Sequence, residues 1–184
     1  MQAMLSILQF GLNAILGGLS ETAVAVNGVY GRLQSFIFMP VFGLNQGTLP
    51  VMGYNYGAFC IMFIGLILFQ MFPKQFLSMF NASEAMYEIG IPALKTISLC
   101  FLPASFGILA SSFFQAIGHG MMSLWGSLIR QMIGILPLAW ILSRIDGLNL
   151  VWYAFPLAEI LGFLYCVISM RYVYKKDISR LGHE

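Results

Sequence analysis

Long apolar blocks follow one another through this chain, each with one or two isolated polar residues near its middle. That pattern constrains the fold more than any other feature. Apolar residues make up 59% of the sequence and charged residues 9%, whereas a soluble domain carries roughly 25% charged residues. The chain cannot clothe itself in water, so it lies in lipid. Hydrocarbon offers backbone groups no partner, which leaves helices or a closed barrel as spanning structures. The blocks are too long for barrel strands of roughly 9–11 residues and do not alternate strictly. They predict an all-α, polytopic transmembrane helix bundle.

A span needs roughly 20 apolar residues, so 184 residues suit about six helices in a single transmembrane domain over 1–184. The first block runs from about Met1 to Gly18 and the second from about Thr22 to Leu49. Gly53-Tyr54-Asn55-Tyr56-Gly57 reads as a turn. The third block, Phe59 to Phe72, is short: about 14 residues make about 21 Å of helix, less than the hydrocarbon thickness of about 30 Å. Lys74 to Glu88 reads as an interfacial connection, with Asn81 or Ser83 capping a helix that carries Glu84 and Glu88. The fourth block, Ile89 to Ile117, is interrupted by Pro92, Lys95 and Pro103. Tight turns at Gly118-His119-Gly120 and Ser143-Arg144-Ile145-Asp146-Gly147 bound the fifth block, Met121 to Ser143. The sixth runs from Leu148 to about Met170.

Arg171, Lys175, Lys176 and Arg180 crowd the end of the last block. Short basic flanks stay in the cytoplasm, which predicts an integral cell membrane protein with a cytoplasmic C-terminus. The turn at Gly118 then lies inside and the turn at Ile145 outside. A nucleic-acid partner would need a basic face on a soluble body, which this composition lacks. Cys60, Cys100 and Cys166 sit in apolar runs and read as buried small apolar residues. Phosphate-binding glycine loops, HExxH and GxSxG are missing, so the chain does not read as an enzyme, and no organic cofactor or metal site is implied.

Polar residues inside lipid need a reason to be there. Arg130 lies about 15 positions before the turn at Ile145–Asp146, and Glu159 about 13 after it; at 1.5 Å per residue they differ in depth by about 3 Å. Adjacent antiparallel helices thus bring opposite charges to one level, where pairing offsets an insertion cost of at least about 2.5–3.5 kcal/mol per charge. The pair serves either as a fixed register device or as part of a transport path. Asn27 and Gln34, seven apart, share a helix face, and Arg32 widens it. Asn27, Arg32 and Gln34 therefore either line a water-filled cavity or bond to neighbouring helices. Pro40, Pro103, Pro137 and Pro156 fall inside blocks and invite kinks.

Met39-Pro40-Val41-Phe42-Gly43-Leu44-Asn45-Gln46-Gly47, then Pro50 and Gly53-Tyr54-Asn55-Tyr56-Gly57-Ala58, resemble the second helix of a lobe in multidrug and toxic compound extrusion (MATE) transporters. Ser112-Phe113-Phe114-Gln115-Ala116-Ile117-Gly118 resembles the end of a later helix, and Phe155-Pro156-Leu157-Ala158-Glu159 the last helix of the C-terminal lobe. The resemblance implies two six-helix lobes that exchange cationic drugs for Na+ or H+ by alternating access, of which this chain matches the C-terminal one. Family branches with an acid in the first helix of this lobe align it near Gln2 or Met4, and those with an acid in the fourth align it near Pro103-Ala104-Ser105. Neither stretch holds an acid here. The implied partners are the bilayer, small cationic organic substrates, and an N-terminal lobe or a second copy. Rival readings are a truncated non-transporting remnant, a half-size transporter working as a dimer, and a lipid-linked glycan flippase.

Overall fold

A computed structural model describes residues 2–47 and 52–175, without the side chains of residues 2–5, 42, 44–47 and 52–56. The described residues are mainly helical, with no strand among them. Ten α-helices and one π-helical segment follow in order. They are α1 (Gln2–Gly17), α2 (Glu21–Gly47), α3 (Met52–Met71), α4 (Pro73–Ser78), α5 (Glu84–Ser98), α6 (Phe101–Ala116), α7 (Gly120–Leu128), the π segment (Ile129–Ile135), α8 (Leu136–Asp146), α9 (Leu148–Val151) and α10 (Ala154–Val173). Grouped by the breaks between them, they form six runs, matching the expected count.

Gly120–Asp146 and Leu148–Val173 are each long and apolar enough to cross a membrane. Glu84–Ser98 with Phe101–Ala116 makes a third if the bent pair counts as one span, and Ser6–Gly17 and Gly57–Met71 are shorter apolar helices. Phe10, Phe36, Met79 and Ile168 project from the surface largely exposed, as lipid-facing or partner-facing side chains do and solvated ones rarely do.

Two expectations are corrected. The patch Gly53–Gly57 is not a turn but part of α3, which runs to 20 residues and so is not shortened. A glycine in a helix costs about 1 kcal/mol, whereas unbonded backbone in hydrocarbon costs several, so the turn signal loses. The junction between α2 and α3 falls at residues 48–51, outside the described residues. Cys60 is exposed rather than buried, while Cys100 and Cys166 are buried as expected.

The Lys74–Glu88 connection resolves into α4 and the first turns of α5. Ser83 caps α5, its Oγ accepting from the Met86 amide at 3.4 Å, and Asn81 makes the preceding turn with φ 52°. Gly118 (φ 80°) and Gly147 (φ 55°) sit at the two predicted tight turns, where a side chain would meet its own backbone.

Pro103 explains the bend of 47° between α5 and α6. Its ring opposes the Leu99 carbonyl and supplies no amide to it. The chain tightens there: Leu99 donates to Thr96 O at 3.3 Å and Cys100 to Ile97 O at 3.0 Å. The Lys95 carbonyl loses its helical partner; Ser98 Oγ donates to it at 2.8 Å, and Gln70 Nε2 of α3 donates to it at 2.9 Å and to Ser98 Oγ at 3.0 Å. A side chain from a neighbouring helix thus restores what the break removed.

The core draws on α1, α2, α3, α5, α6 and α10. Leu12, Leu16, Val26, Tyr30, Phe101 and Ala158 are buried in it. Tyr30 meets Phe155 edge-on at 5.6 Å and Phe38 meets Phe101 at 5.7 Å. A second cluster, Ala110, Phe114, Cys166 and Val173, joins the far ends of α6 and α10.

Candidate functional site

The helix Gly120–Asp146 changes pitch at Ile129–Ile135, just before Pro137. Proline cannot donate to Ile133 O and crowds it, and a wider π turn is one way for the backbone to absorb that clash. The widened turn holds Arg130. Gly134, in the same segment, lets α10 come close: a Cβ on Gly134 would lie 2.8 Å from the Ala158 Cβ. Gly162 makes room for the Arg130 stem, whose Cβ, Cγ and Cδ lie 3.4–3.6 Å from where a Gly162 side chain would begin.

These contacts bring Arg130 Nε within 3.5 Å of Glu159 Oε1, with the side chains 19% and 10% exposed. The two residues that sequence depth placed at one level are therefore paired directly. Arg130 Nη1 also lies 3.6 Å from where a Gly107 side chain would begin, so the ion pair faces the bundle interior beside α6.

A second polar group joins α1 and α2. Asn27 is buried, and its Nδ2 donates to Gln9 Oε1 at 3.0 Å and Asn13 Oδ1 at 3.1 Å. Gly31 leaves space for Gln9, whose Nε2 is 3.5 Å from a would-be Cβ. Asn27 therefore bonds to the neighbouring helix, one of the two roles anticipated for it. Gln34 is half-buried. Arg32 is exposed, on the stripe of α2 that also carries Gly28, Ser35, Phe36 and Met39. The structure does not gather the five candidates into one cluster: Arg130 and Glu159 pair, Asn27 joins α1, and Arg32 points away from both.

Gln9 and Asn13 escaped sequence reasoning, although each is a polar residue in an apolar block four apart on one face, the signal that singled out Asn27 and Gln34. Ser123, Ser127 and Gln131 form a buried row at four-residue spacing along α7 and the π segment. Ser123 Oγ accepts from Gln115 Nε2 at 2.9 Å, tying α6 to α7. Asn27 Oδ1 and Gln131 Oε1 are buried acceptors with no hydrogen-bond partner among the described residues. Gln2 and Met4, the first-helix positions aligned with a family acid, lie outside the described side chains. Ser105, in the other aligned stretch, is buried and donates to Leu102 O at 2.7 Å. A separate apolar recess of about 440 Å³ opens between α3, α6 and α10, lined by Phe59, Pro103, Phe106, Leu109, Ile160 and Phe163.

The MatE family model matches residues 1–59. The multidrug export protein MepA of Staphylococcus aureus (strain NCTC 8325 / PS 47) is 26% identical over 164 residues, covering 80% of this chain and 36% of that protein. A protein named FAD transporter from Shewanella oneidensis is 25% identical over 170 residues, covering 83% of this chain and 38% of its own length. The fold superposes on the outward-facing conformation of a multidrug resistance MATE family transporter with a TM-score of 0.80 and 25% identity, over 95% of this chain and 45% of that one. A transporter of the MOP superfamily from Pyrococcus furiosus matches with a TM-score of 0.77 and 27% identity, over 95% and 44%. Its structure is described as having a binding pocket of reverse polarity. The chain spans well under half the length of these relatives.

Proposed function

We propose that the chain, matched by the MatE family model over residues 1–59, forms the C-terminal six-helix lobe of a multidrug/cation antiporter of the MATE family, whose members are integral membrane transporters. The assembled transporter exports small cationic organic compounds in exchange for Na+ or H+. One observation carries this reading: nearly the whole chain superposes on less than half of a multidrug resistance MATE family transporter. The second lobe is a separate N-terminal lobe or another copy of this chain. Substrate moves as the two lobes rock about a cavity near the midplane. Exposed rings such as Phe10 and Phe36 suit a cationic aromatic compound through cation–π attraction.

Within this lobe Arg130 and Glu159 act as the paired polar centre. Their attraction holds the π segment against α10, and a cation or proton that engages Glu159 releases Arg130 from it. Asn27, Gln9 and Asn13 keep α1 and α2 together on the cavity side.

Efflux of a fluorescent cationic dye from proteoliposomes containing the chain tests the reading. Export that depends on an imposed Na+ or H+ gradient, and that Glu159→Gln abolishes, supports it. Correctly folded protein that exports no dye under either gradient overturns a transporter built from copies of this chain alone.

A further inference from the structure

Among the described residues Arg32 is the exposed charge in the middle of α2. It lies 11 residues into α2, about 16 Å from the helix start and so near the bilayer midplane. Among the described residues no ion pair includes it. The seven acids of the sequence do not supply one on that face. Glu21, Glu84, Glu88 and Asp146 sit at helix ends, Glu159 is held by Arg130, and Asp177 and Glu184 follow the last span in sequence.

Without an acid of this chain beside it, an arginine at that depth suits a polar space better than a lipid-facing position. Neighbouring groups fit this. The contact between Gly31 and Gln9 puts Arg32 level with the Gln9–Asn13–Asn27 group, in which Asn13 is exposed and Asn27 Oδ1 is an unpartnered buried acceptor. Lys95, a further cation inside an apolar block, lies on α5, where its carbonyl accepts from Gln70. The open face of this lobe thus offers a guanidinium, amides and aromatic rings, but no carboxylate.

We propose that Arg32 is a substrate-binding residue that takes an anionic group, a carboxylate or phosphate, carried by the transported compound. This rests on the transport reading above and narrows it: preferred substrates bear a negative group beside any cationic ring system. Guanidinium pairs with carboxylate or phosphate through two parallel hydrogen bonds. A lipid phosphate offers the same chemistry, but in an undistorted bilayer it lies about 15 Å from the midplane.

The test measures binding to the whole chain in nanodiscs of zwitterionic lipid. The probes are a rhodamine with a free carboxylate and the methyl ester of the same dye, which differ only in the negative charge. The carboxylate form binds about tenfold or more tightly than the ester. Arg32→Gln removes that difference and leaves the ester's affinity unchanged, while Arg32→Lys retains part of it. Equal affinities of the two dyes for the unaltered protein overturn this inference and leave the transport reading standing. Binding of neither dye overturns both. A preference that vanishes when anionic lipid is added assigns Arg32 to lipid phosphate and overturns the substrate assignment.

Discussion

Gly134 and Ala158 meet at the closest approach between the π segment and α10, where even a methyl group on Gly134 would lie 2.8 Å from the Ala158 Cβ and 3.0 Å from Ile129 O. Neither neighbour is the free end of a flexible side chain. The contact sits one residue from Glu159 and four from Arg130, so it sets the spacing of the ion pair. Gly134→Ala should push the helices apart and cost about 1–3 kcal/mol, as overpacked cores do. Thermal unfolding in detergent measures it. Gly28→Ala is the control: a Cβ there meets nothing within 4 Å, and stability should hold or rise.

Removing one partner of the buried pair should cost more than removing both. Arg130→Met leaves the Glu159 carboxylate unpaired among apolar groups, a loss of about 3–5 kcal/mol. Arg130→Met with Glu159→Met should recover most of that stability, which denaturant titration in micelles will show. If the stable double variant also loses gradient-driven efflux, the pair belongs to the transport path. If it keeps efflux, the pair is a register device alone.

Gln70 repairs the helix break at Leu99, and its replacement exposes that repair. Gln70→Leu preserves bulk but removes the donors to Lys95 O and Ser98 Oγ. Ser98 Oγ still donates to the Lys95 carbonyl at 2.8 Å, so the loss should be about 1 kcal/mol. Adding Pro103→Ala, which lets α5 run into α6, should restore part of the loss. Equal penalties of Gln70→Leu in both backgrounds would sink this account of the bend.

Orientation can be read by labelling. With the three native cysteines replaced, Ile145→Cys and Met121→Cys place thiols at exposed positions beside the two tight turns. A membrane-impermeant maleimide should label position 145 in intact cells and position 121 only after permeabilisation. The reverse pattern would put the C-terminus outside.

Much of this architecture was legible in the chain itself. Charge scarcity forced a helical membrane bundle, because hydrocarbon leaves backbone groups no other partner. Gly118 and Gly147 marked their turns because only glycine takes those torsions cheaply. Helical rise alone placed Arg130 and Glu159 at one depth, since a tight turn makes distance from it a measure of height. Other features belonged to the tertiary structure. Whether Gly53–Gly57 turned or coiled depended on backbone bonding in its surroundings rather than on glycine's own preference. Periodicity put Asn27 and Gln34 on one side of α2, but packing against α1 decided that Asn27 binds Gln9 and Asn13 while Arg32 is left facing outward. A sequence records which side chains share a face; which neighbour covers that face is set by the packing of distant segments, and that alone separates a paired charge from an open one.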